Sequence, residues 1–116
     1  MKVKACDIYA IDQSLYKLVE QQVKLPLNIG YAVYKMYKQV SDIAEYIAER
    51  LSFVIDEQRM KLNQLSEEET AIYNAVMESE IDISPFEISR EELFGNKEVE
   101  LNLSEIANID ELFREN

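Results

Sequence analysis

Carboxylates are the only chemically capable group this chain carries in quantity, and they recur in a pattern. Residues 80–94 read EIDISPFEISREELF, and residues 98–113 read EVELNLSEIANIDELF. Both segments begin acid, β-branched, acid, aliphatic, and both run on to an acidic pair followed by Leu-Phe. If the two segments are strands paired in register, Glu80, Asp82, Glu98 and Glu100 stand on one face. Carboxylates so placed could act as an acid pair on a glycosidic bond or hold a hard cation. Like charges that close also repel, and cations or basic side chains must answer them. A cation site or a docking surface for a basic partner meets that demand. A plain hydrated face, with Lys2 and Lys4 of an N-terminal strand close by, is the simpler answer.

Other chemistry is poorly supplied. The chain has no His and no Trp, so the usual general base and the commonest transition-metal ligand are missing. Cys6 is the single cysteine; it has no imidazole to activate it and no second thiol to pair with, which fits a reducing compartment. The two glycines, Gly30 and Gly95, are too far apart to build a phosphate-cradling loop. The expectation is a protein that is not an enzyme, with no catalytic residue, cofactor or metal ligand assigned.

Charge is segregated along the chain. Residues 1–62 hold nine Lys/Arg against eight Asp/Glu, a balance of +1, and residues 63–116 hold three against fifteen, a balance of −12, which together give the overall −11. An acidic half of this kind repels phosphate and suits a basic partner, so direct nucleic-acid binding is disfavoured. Tyr31, Tyr34 and Tyr37, interleaved with Lys35 and Lys38, form the second candidate surface. Aromatics among lysines can mark a protein interface, whereas rings edging a core with their hydroxyls in water would look the same in sequence.

The elements that must position these residues follow from periodicity. MKVKA alternates as a short strand does. Asp7 is a candidate cap for a first helix whose apolar positions Ile8, Ile11, Leu15, Leu18 and Val19 continue to about Lys24, before Pro26 breaks it. From Leu27 a long stripe runs through Val33, Met36, Val40, Ile43, Ile47, Leu51 and Val54, with Ala44 and Ile55 widening it. A helix of about 35 residues would span on the order of 50 Å. Its nearly heptad steps allow either cover by the other helices or self-association. Ser66 to Glu69 reads as a capping box opening a third helix, and Ser89 to Glu92 as another opening a single turn; Ser104 is the candidate cap for the last turns. Glu80–Ser84 and Glu98–Leu103 alternate with the period of strands. No stretch approaches the roughly 18 apolar residues of a membrane span.

The run DIYAIDQSLYKLVEQQVKLPLNIGYAVYKMYKQ, then Glu49, Arg50 and Leu51, then ESEIDISPFEIS and a second alternating segment, resembles small proteins encoded by tailed bacteriophages and prophages of Gram-positive hosts. Those proteins share a helix, a Leu-Pro corner, a longer helix and an acidic tail. They often carry a longer polar insertion before that tail, where this chain has only NQLSEEE. The resemblance implies a phage origin and transfers no site residues.

The expected fold is a single α+β domain over residues 1–116: a helical hairpin with one long helix, packed on a small two- to three-stranded sheet formed by the N-terminal strand and two C-terminal acidic strands. The expected function is protein binding, in particle assembly or an accessory role in the infected cell, located in the host cytoplasm or on the virion. The candidate partner-binding residues are Glu80, Asp82, Glu98, Glu100, Tyr31, Tyr34 and Tyr37. The alternative is an acidic inhibitor that imitates DNA phosphates in the basic cleft of a host defence nuclease or another nucleic-acid-binding protein.

Overall fold

A computed structural model describes residues 1–52 and 65–113. It is mostly helical, with a small antiparallel sheet. Strand β1 is Lys2–Lys4 and runs without a loop into helix α1, Ala5–Glu20. A 3₁₀ turn at Gln22–Lys24 and the corner at Pro26 lead into helix α2, Leu27–Arg50. Helix α3, Glu67–Glu78, precedes strand β2, Glu80–Asp82. Two short helices close the described chain: α4, Arg90–Phe94, and α5, Leu103–Asp110.

The sheet pairs Lys2 with Asp82, Val3 with Ile81 and Lys4 with Glu80. Beyond the strands, the Ile83 amide donates to the Met1 carbonyl at 2.9 Å and the Ala5 amide to the Ser79 carbonyl at 2.8 Å. Hydrogen-bonded pairs therefore alternate at Met1–Ile83, Val3–Ile81 and Ala5–Ser79. The two lysine–carboxylate pairs take the closer, non-hydrogen-bonded positions between them. Val3 turns inward and is buried, while the charged pairs stay in water.

Helices α1 and α2 form the expected hairpin. Ile8, Ile11, Leu15 and Leu18 of α1 meet Ile29, Val33, Met36 and Val40 of α2 in one core, which Ile83, Phe86, Leu93, Ile109, Leu112 and Phe113 complete. Each fully buried large aliphatic side chain contributes roughly 1.5–3 kcal/mol of transfer free energy. Pro26 supplies the break and serves as the N-cap position of α2. Gly30 lets α2 start close against the 3₁₀ turn, since a Cβ there would sit 3.3 Å from the Gln22 carbonyl oxygen.

Several expectations need correcting. The second acidic strand does not form: residues 98–102 carry no strand pairing, and Leu103, expected to alternate inward, opens α5 and is 86% exposed. Two side chains explain this. The Gln21 amide donates to the Glu100 carbonyl and accepts from its amide, both at 2.8 Å, so these groups need no strand partner. Asn102, with Glu105 answering, forms a full capping box that turns the chain into helix. Asn102 thus takes the role expected of Ser104, which lies inside α5.

At the front, Lys4 is the N-cap position of α1 with no side-chain cap, and Asp7 sits in the first turn instead, where the helix dipole favours its charge. The first helix stops at Glu20, with the 3₁₀ turn filling the distance to Lys24. Helix α2 is shorter than its stripe: after Arg50 the Leu51 amide still reaches the Ile47 carbonyl, but the Ser52 amide and hydroxyl both turn back to the Glu49 carbonyl. Its 24 residues span about 36 Å. Val54 and Ile55 lie outside the described residues. The capping boxes at Ser66–Glu69 and Ser89–Glu92 are both present as expected.

Candidate protein-docking surface

The four carboxylates do not share a face. Glu80 and Asp82 lie opposite Lys4 and Lys2, at the start of α1. Glu100 is fastened to Gln21, just past the end of α1, and the 16 residues of that helix separate the two sites by about 24 Å along its axis. The first pair faces lysines across the sheet, the placement in which opposite charges attract. Among the described residues, no group of three or more His, Cys, Asp or Glu side chains is placed to hold a metal ion.

The three tyrosines divide. Tyr37 is half-buried, packs on the core and lies 6.1 Å from Tyr16 between ring centres. Tyr31 and Tyr34 are 59% and 46% exposed. Lys35 sits 5.4 Å from the centre of the Tyr31 ring and 2.8 Å from Glu87, and its hydrogen bond to that carboxylate holds its pKa above the usual lysine value. The lysine–tyrosine interleaving is therefore partly occupied within the chain: one lysine is tied to the loop after β2.

A third surface, with no charged residue in its lining, lies where the start of α1, the end of α2 and α3 meet. It is a groove of about 540 Å³. Helix α1 contributes Ala5, Ile8 and Tyr9, helix α2 contributes Ala44, Ile47 and Ala48, and Tyr73 and Met77 face them from α3. The three alanines create the space, since each ends at Cβ where a larger residue would close the gap between helices. Cys6 also lines it and is exposed. No residue of α3 is buried, so this helix covers only part of the corner it packs against. The signal in the sequence was the continuation of the α2 stripe: Ala44 and Ile47 are half-buried where Val33 and Val40 are closed over by α1.

The segments that contribute the lining are acidic in sequence: residues 5–12, 41–50 and 67–78 hold nine carboxylates (Asp7, Asp12, Asp42, Glu45, Glu49, Glu67, Glu68, Glu69 and Glu78) against Arg50, with Lys4 immediately before Ala5. One of these, Asp12, has its Oδ1 buried without a hydrogen-bond partner, and burial raises its pKa above the ordinary 3.8.

Among the described residues, no helix is long and apolar enough to cross a membrane. Set against known protein families, curated proteins and solved structures, the chain matches none of them.

Proposed function

We propose that this chain is a non-enzymatic, phage-encoded protein-binding factor, serving particle assembly or an accessory role in the infected cell, whose partner presents a basic surface. The observation that supports it is the open apolar groove enclosed by three acidic helical segments. Apolar area provides affinity on desolvation, while the surrounding carboxylates select partner charge and speed encounter. The side-chain polar groups lining the groove are one thiol and two phenols, which gives a polar substrate few groups to orient it.

The test is capture by the immobilised protein from phage-infected cells at low and high salt, with duplex DNA as competitor. The reading expects a basic phage protein, retained at moderate salt and indifferent to DNA. Recovery of nucleic-acid-binding host proteins alone, displaced by DNA and by salt together, would overturn it in favour of the acidic mimic.

A further inference from the structure

The groove has a definite length and a definite chemistry, and both restrict what can sit in it. Along α2 its lining runs from Ala44 to Ala48, and along α3 from Tyr73 to Met77. Each wall is thus about one helical turn, near 6 Å. A ligand seated there contacts the walls over one turn, with room for more than one aliphatic side chain in about 540 Å³. Side chains at i and i+3 or i+4 on a helix meet that spacing, because they project from one face a single turn apart. The helical segments that contribute the walls hold nine carboxylates against Arg50, with Lys4 just before Ala5, so basic flanks suit such a helix. A second copy of this chain is a poor occupant, since it would bring another −11 against those carboxylates.

We propose that the groove between α1, α2 and α3 seats one apolar turn of a basic amphipathic helix from a partner protein, an inference that rests on the protein-binding reading above. The seated turn places two aliphatic anchors over Ala5, Ala44 and Ala48. Its lysines or arginines, on the turns either side, run out toward Glu45 and Glu49 on α2 and toward the carboxylates of α3. This is the helix-in-groove mode of recognition, with charge fixing which helices are admitted.

Cys6 supplies the readout, because it is the only thiol in the chain, is exposed and lines the groove. The probe is a leucine–lysine peptide of about four helical turns with leucines at i, i+3, i+4 and i+7, compared with a peptide of identical composition whose leucines are scattered. On the full chain, the patterned peptide should slow alkylation of Cys6 by N-ethylmaleimide at least about fivefold and bind at least about tenfold tighter than the scattered one, a gap of about 1.4 kcal/mol. Ala48→Trp should fill the groove and abolish the difference between the peptides. Ala48 is already exposed, so the core does not depend on it, and an unchanged melting temperature verifies that the variant folds. Equal binding of the two peptides, or tight binding that leaves Cys6 as reactive as before, would overturn the assignment. If the peptide fails while Ala48→Trp still captures a basic phage protein, the groove assignment falls and the protein-binding reading stands. If the unsubstituted chain captures no basic protein either, both fall.

Discussion

Arg90 Nε donates to Asp110 Oδ1 at 2.6 Å, and this contact joins the first acidic segment to the second. The same guanidinium reaches the Asp110 carbonyl at 3.4 Å and lies 5.3 Å from the centre of the Phe113 ring. Phe113 in turn stacks on Phe86 at 4.8 Å and tilts against Phe94 at 5.6 Å. The two Leu-Phe endings are thus halves of one packed cluster. Because both charged side chains are 40–49% exposed, a double-mutant cycle on Arg90→Ala and Asp110→Ala should give a coupling of only about 0.5–1 kcal/mol. Arg90→Lys should lose most of it, since lysine lacks the planar fork that bonds and stacks at once. Coupling indistinguishable from zero would reduce the pair to a surface coincidence.

Cost should follow burial sharply within the second segment. Leu112 is fully buried and Leu103 is 86% exposed, although both are leucines of the second acidic segment, residues 98–113. Leu112→Ala should cost about 2–5 kcal/mol. Leu103→Ala should stay within about 0.5 kcal/mol of the parent. Urea unfolding checks both, and equal losses at the two sites would contradict the placement of α5.

Capping offers a finer discrimination. The Asn102 side chain accepts from the Glu105 amide at 2.8 Å, and the Glu105 carboxylate accepts from the Asn102 amide at 2.9 Å. Asn102→Ala should therefore lose about 1 kcal/mol, and Ser104→Ala close to nothing. The reverse order would place the start of α5 two residues later.

This pair of substitutions also marks where the sequence was legible. The break at Pro26 and the boxes at Ser66 and Ser89 were readable because each rests on contacts within a few residues, and the hairpin because the apolar period of each helix is local and a short corner joins them. The fate of Glu98–Leu103 was not, because alternation reports only that one face can be buried. What decides against a strand there is Gln21, 79 positions away, holding the Glu100 peptide as a neighbouring strand would. Gln39 does the same for the Ser84 peptide, at 3.1 and 2.8 Å. No local periodicity reveals a glutamine that substitutes for a strand. Similarly, the candidate carboxylates were identifiable one by one, but their division between the two ends of α1 depended on that tertiary bond. The groove was hidden because it is made by what Ala5, Ala44 and Ala48 lack.

Gln21→Ala should accordingly release the loop before α5. We expect faster hydrogen exchange at the Glu100 amide and a loss of about 1 kcal/mol. Unchanged exchange there would mean that the loop is held by other contacts.

The pH dependence of stability should carry the mark of Asp12, whose carboxyl is raised above 3.8 by burial. A carboxyl with a higher pKa folded than unfolded binds protons more tightly in the native state. Stability is then greatest below the unfolded value and falls as pH rises from about 3.8 through the raised folded value, remaining lower above it. Asp12→Asn should raise stability at neutral pH, because it removes a charge that burial disfavours, with the gain shrinking as pH falls through that window. A gain that persists unchanged at low pH would show that charge is not its cause.

The sheet has a consequence for when, not only where, this chain becomes ordered. The Met1 ammonium donates to the Ile83 carbonyl at 3.2 Å, across 82 positions of sequence. Closing so long a loop costs more entropy than bringing α1 and α2 together over a turn of a few residues. The hairpin can assemble from local contacts as soon as residue 50 is available, whereas Val3 has no strand to meet until residues 79–83 follow. On the ribosome β1 is therefore made before the hairpin and finds its place after it. Pulse-labelled hydrogen exchange should protect the Met36 amide before that of Val3; the opposite order would contradict this sequence of events. Until the pairing closes, β1 waits, unpartnered, for β2 to follow it.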